Sequence, residues 1–126
     1  MISLDAIVER EFLKICEELQ IFDVHLENNN LPGILSWDYA ITKGDVGVPV
    51  KFTKCAAVVA MAQYHFAGRD PLEVLVRYHL LWAISEFVPE EIKRGKFSDL
   101  LQTSSLHMSL SFPSKSVEPE RTGIEN

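Results

Sequence analysis

Apolar residues recur at helical spacing from the start of the chain. Leu4, Val8, Phe12, Ile15, Leu19 and Phe22 form one stripe, with Glu9, Arg10, Glu17 and Glu18 mostly away from it. The spacing predicts an amphipathic surface helix over residues 4–20. The period then falls to two. Phe22, Val24 and Leu26 alternate with Asp23, His25 and Glu27, and Leu35, Trp37, Tyr39 and Ile41 alternate with Ser36, Asp38 and Ala40. These patterns predict strands over 21–27 and 34–42, paired as a hairpin across the loop Asn28-Asn29-Asn30-Leu31-Pro32-Gly33. A third strand is expected where Leu106, Met108, Leu110 and Phe112 alternate with His107, Ser109 and Ser111. Lys43-Gly44-Asp45 and Val46-Gly47-Val48-Pro49 read as a break in regular structure. Their glycines lack the lysine and hydroxyl of a phosphate-binding loop and lead into no helix.

Residues 53–87 read as two apolar helices joined at Ala67-Gly68-Arg69-Asp70. Gly68 suits the left-handed position after a helix. Asp70, Pro71 and Glu73 supply an N-cap, a proline at the first helical position and an acid at the third. In the first helix only Gln63 and His65 interrupt the apolar circumference over residues 55–66, which marks it as buried. The second carries two apolar stripes. Leu72, Val76, Leu80, Ala83 and Phe87 form one, and Val74, Leu75, Tyr78, Leu81 and Trp82 form the other. Glu73 and Arg77 divide the stripes at one seam as an i,i+4 pair, and His79 and Glu86 mark the other. Such a helix requires a cover on both sides, supplied by the chain's own strands or by another subunit.

After Phe87, Pro89-Glu90-Glu91 starts a short helix that Gly95 is expected to end, and Ser98-Asp99 caps a further turn through Leu101. Residues 113–126, rich in Ser, Pro, Lys and Glu, read as a disordered tail. The expected architecture is therefore α+β in one domain over 1–112. It has an amphipathic N-terminal helix, a small antiparallel sheet of about three strands and a central apolar helical hairpin. A chain of 126 residues and 14.3 kDa can build one core but has little material to enclose a central helix fully.

Charge and cysteine usage narrow the partners. The formal net charge is −6, and residues 1–30 hold seven acids against Arg10 and Lys14. That surface repels nucleic-acid phosphate and suits a protein partner. The small basic group Lys93, Arg94 and Lys96 fits cations at a helix C-terminus. The opening residues lack a basic region followed by an apolar one, and the longest uncharged apolar run, 55–68, is short for a bilayer. A cytoplasmic protein outside the membrane is expected. Cys16 and Cys55, on apolar helical faces, read as buried free thiols.

Catalytic chemistry finds little support in the residues. His25, His65, His79 and His107 lie on different elements without a metal-binding spacing, so neither a metal nor a cofactor is expected. Cys55 lies on an apolar helical face, and Ser36 and Asp38 are ordinary outward strand residues. His79 and Glu86 stand two turns apart, as rim residues rather than an acid–base pair. The favoured reading is a non-enzymatic protein-interaction module, such as a small acidic chaperone, adaptor, immunity protein or regulator. It would act on a partner protein or on itself as a homodimer. Its interface residues are expected to be Val74, Leu75, Tyr78, Leu81 and Trp82, and no catalytic residues are assigned. The alternatives are a small-molecule-binding protein or enzyme with a pocket lined by Trp37, Tyr39, Tyr78 and Trp82, and a helix-turn-helix DNA-binding regulator. The last lacks cations on its second helix beyond Arg77.

Overall fold

The computed structural model describes residues 4–31, 36–53 and 70–111. The fold is an α+β mix of an N-terminal helix, a three-stranded antiparallel sheet and two further helices. The first helix of the expected hairpin, Gly68 and Cys55 fall outside the described residues, as does the expected tail.

Helix α1, Leu4–Leu19, buries Leu4, Ile7, Val8, Phe12, Ile15, Cys16 and Leu19 as its stripe requires. It ends at Gln20, whose φ of 58° is left-handed. The Ile21 amide donates back to the Cys16 carbonyl at 3.0 Å and the Gln20 amide to that of Glu17 at 3.2 Å. This paired arrangement closes the open carbonyls and folds Ile21 onto the helix end. Ile21 and Val24 are consequently buried, and Phe22, expected on the core face of both helix and strand, is thrown outward.

Strand β1 is shorter than expected, His25–Asn28, and pairs antiparallel with β2, Ser36–Lys43, from His25↔Thr42 to Asn28↔Tyr39. The outer strand β3, Val46–Thr53, occupies the segment read as a break and the expected start of a helix. Only Gly44 and Asp45 form the turn between β2 and β3. Gly44 has φ +60° and Asp45 a negative φ, the pattern of a type II′ turn with glycine at its first central position. Such a turn matches the strand twist, so the ladder starts directly at Lys43↔Val46 and continues to Ser36↔Thr53. Tyr39, Ile41, Val50 and Phe52 point into the core.

Helix α2, Pro71–Ile84, starts as the sequence predicts: the Asp70 carboxylate accepts from the Leu72 amide at 2.9 Å and Pro71 takes the first position. It packs against α1, β3 and α3, the last spanning Ser98–Ser111. Two expectations fail beyond it. Gly95 does not end a helix. The turn Glu90–Ile92 widens into a π-helical turn, Lys93–Phe97, that feeds α3 without interruption. Residues 106–111 of the expected strand at 106–112 are also helical. Phe97, Leu100, Leu101, Ser104 and Met108 form its inward stripe at helical spacing, and Leu106 is exposed. Serine at position 104 hid that stripe and left the alternation at 106–112 as the more visible pattern.

Candidate interaction site

The two stripes of α2 meet different fates. Leu72, Val76, Leu80 and Ala83 are buried, and so are Val74, Leu75, Tyr78 and Leu81 of the second stripe. Leu81 is fully enclosed by the chain itself. Only Trp82 among the expected interface residues keeps a large exposed area, 42%. Both faces of α2 are therefore layers within the fold, and the surplus apolar surface contracts to one indole.

Trp82 stands at a hollow of about 380 Å³ lined by Val48, Pro49, Val50 and Lys51 of β3 and His79, Trp82 and Ala83 of α2. Tertiary packing positions its walls. Phe52 meets the His79 ring edge-on at 5.4 Å, and Tyr78 contacts both His79 and Trp82 edge-on at 5.9 and 6.3 Å. These contacts fix the side of α2 against β3 and hold the indole at its angle. The Ser85 hydroxyl closes the helix end by donating to the Trp82 carbonyl at 2.7 Å. Of the four aromatic residues named for a ligand pocket, Trp82 lines this hollow and Trp37, Tyr39 and Tyr78 do not. Tyr39 is buried beside Phe52, Tyr78 is buried, and Trp37 stands opposite Phe52 on the sheet.

The Tyr39 hydroxyl donates to Asp5 and accepts from the Asn30 amide at 3.3 Å. Asn30 also donates to Asp5 at 2.9 Å and accepts from the Asp38 amide at 2.6 Å. This network ties the first turn of α1 to the loop after β1. Burial, and then the bond to Asp5, push the Tyr39 phenol well above its usual range, so it stays protonated and structural.

A second concavity is polar. Glu11, Lys14 and Glu18 of α1, Glu73, Val74 and Arg77 of α2, and Leu100, Thr103, Ser104 and His107 of α3 line a cleft of about 290 Å³. Glu11 is 3% exposed. Its carboxylate binds Arg77 at 3.1 Å and lies 3.6 and 3.7 Å from Arg10 and Lys14. Arg77 also holds Glu18, and Arg10 holds Glu73. Glu73 and Arg77 thus reach across to α1 instead of pairing along their own helix. Each acid has a cation, so the cleft is a neutralised clamp between helices. A third hollow, of about 460 Å³, lies beside exposed Phe22, between Lys43, Phe87, Pro89 and Ile92.

Two groups of residues escaped the sequence reading. Val48, Pro49 and Lys51 were hidden by treating the glycine and proline of β3 as breaks, although Val46, Val48, Val50 and Phe52 alternate. Glu11 was overlooked although it sits three residues after Val8 and four before Ile15, on the buried arc of α1. Among the described residues no group of three or more histidines, cysteines or acids is placed to hold a metal ion, and no helix is long and apolar enough to cross a membrane. No family model matches the chain, and neither a curated protein nor a solved structure matches it.

Proposed function

We propose that this chain is a non-enzymatic protein-interaction module that engages its partner on the side of α2 facing β3. The supporting observation is Trp82, a large aromatic held half out of the surface by packed neighbours at the mouth of a hollow with apolar walls. Tryptophan is the residue type that most often anchors an interface, because one rigid ring removes a large apolar area from water at low entropic cost. The acidic net charge disfavours nucleic acid and suits a protein partner. The buried free thiol of Cys16 fits a reducing compartment, and a cytoplasmic setting belongs to this proposal.

The test compares wild type with Trp82→Ser and with Leu106→Ser, an exposed leucine on α3 that serves as control. All three should fold, judged by circular dichroism. Immobilised wild type and the Leu106 variant should retain the same proteins from native extract, and Trp82→Ser should lose them. Equal retention by all three would remove α2 from the interface. Light scattering after size exclusion separates a homodimer from a foreign partner. A small molecule retained in native mass spectrometry would move the assignment to the ligand-binding alternative.

A further inference from the structure

Strand β3 is one of the two outer strands of the sheet, in the order β1-β2-β3, and no described strand lies on its other side. The two-residue turn sets the direction of its backbone groups. In a hairpin of this length the pair flanking the turn, Lys43↔Val46, exchanges both hydrogen bonds, and bonded pairs then alternate with unbonded ones. Val46, Val48, Val50 and Phe52 therefore bond to β2, and Gly47, Pro49 and Lys51 direct their backbone groups outward. Pro49 agrees with this parity, since a proline on the inner side would leave a gap in the ladder. All three outward residues are exposed. The outer edge offers the amides of Gly47 and Lys51 and the carbonyls of Gly47, Pro49 and Lys51. The Trp82 hollow runs beside these groups, so alternate side chains of an added strand would enter it.

We infer that β3 takes up an extended segment of a partner protein as a fourth strand, with an apolar side chain of that segment against Val48, Pro49 and Trp82 and an acidic one near Lys51. The inference rests on the interaction reading above and specifies its mode, main-chain pairing for affinity and the hollow for selection. Two features favour a foreign segment over a second copy. A symmetric pairing of two β3 edges brings two copies of Pro49 to the new ladder and forfeits two donors, where a foreign strand forfeits one. Charge points the same way. Residues Val46–Thr53 contain Lys51 and no acid, so a second β3 adds no opposite charge to Lys51 beyond Asp38, which stands across from it on β2, and an acidic segment adds one on the outer side.

The probe is a library of random twelve-residue peptides selected on the folded wild-type chain. Selected peptides should carry an apolar residue and an acid in alternating register, and should slow hydrogen exchange at the amides of Gly47 and Lys51. Lys51→Pro removes one outward donor and leaves the β2 ladder intact, so it should weaken binding at least about tenfold, well beyond Lys51→Gln. The exchange measurement on unmodified protein covers the case in which the proline variant misfolds. Failure to select peptides, equal binding to the proline variant, or unchanged exchange at both amides would overturn strand addition. A dimer in light scattering that Lys51→Pro dissolves would replace the foreign segment by a second copy. If Trp82→Ser still abolishes partner capture while strand addition fails, the interaction reading stands by itself. If Trp82→Ser changes nothing and strand addition succeeds, the edge binds without the indole.

Discussion

Gly44 and Gly95 both face open space where a Cβ would be added, yet they respond oppositely to the same substitution. Gly44 holds φ +60° in the tight turn, a conformation that any side chain strains through its own backbone. Gly44→Ala should lower stability by about 1–2 kcal/mol in urea titration. Gly95 lies in a helical turn without a positive φ, so alanine should raise stability by about 0.5–1 kcal/mol, chiefly by restricting the unfolded chain. Two changes of the same sign would show that one of these backbone assignments is wrong. On α2, Leu81 and Trp82 are sequence neighbours with opposite roles. Leu81→Glu places a carboxylate where no water reaches and should abolish cooperative folding, whereas Trp82→Ser should cost little, since the indole is already half solvated. A folded Leu81→Glu protein, seen by circular dichroism and thermal melting, would return that face to the surface.

At the level of elements, α1 and α2 are joined by apolar packing and by the ions around Glu11. Removing Arg77 leaves Glu11 buried with only the more distant Arg10 and Lys14 and frees Glu18. Arg77→Met should therefore cost about 2–4 kcal/mol in denaturant unfolding. Adding Glu11→Met should recover part of that loss, because the uncompensated charge goes and a side chain of similar volume fills the site. Strictly additive effects would mean that the two groups do not communicate. The same element pair shows why a seam read as intrahelical became interhelical: Glu73 and Arg77 are within reach of each other along α2, but α1 presents Arg10, Glu11 and Glu18 to them from outside.

For the whole molecule, alkaline pH should be the weak side. Burial, and secondarily the charge of Asp23, push the Cys16 thiol from 9.0 up to about 11. Below pH 9 both folded and unfolded chains keep the proton and its contribution to stability is complete. Between about 9 and 11 the unfolded chain releases the proton first, so stability falls as pH rises, and above about 11 this loss stops. Tyr39, also raised, adds in the same direction at higher pH. Urea midpoints should decline from pH 8.5 to 10.5, and Cys16→Ala, whatever its absolute stability, should show a shallower decline. An identical slope would remove Cys16 from the effect. At the acid side, Asp23 is held below the ordinary carboxylate range by its bond to Lys43, a surface pair that salt screens.

Local physics made some of this protein readable without coordinates. The stripe of α1, the cap of α2 by Asp70 and Pro71, the alternation of β2 and the mixed fold class all follow from spacing and end chemistry, which act within a few residues. Other features required the third dimension. The left-handed Gln20 turns Ile21 back onto α1 and ejects Phe22, a reversal that periodicity does not carry. A type II′ turn at Gly44 lets Val46–Thr53 continue the sheet although glycine and proline argue against a strand locally, because an outer strand needs no donor from Pro49 on its free side. The identity of α3 depended on what Ser104 faces, and the fate of the second α2 stripe on which elements close over it. Sequence thus determined that α2 has two faces to cover. Tertiary structure alone decided that the chain covers both and, among the residues of those two stripes, leaves Trp82 as the large side chain still exposed, beside β3.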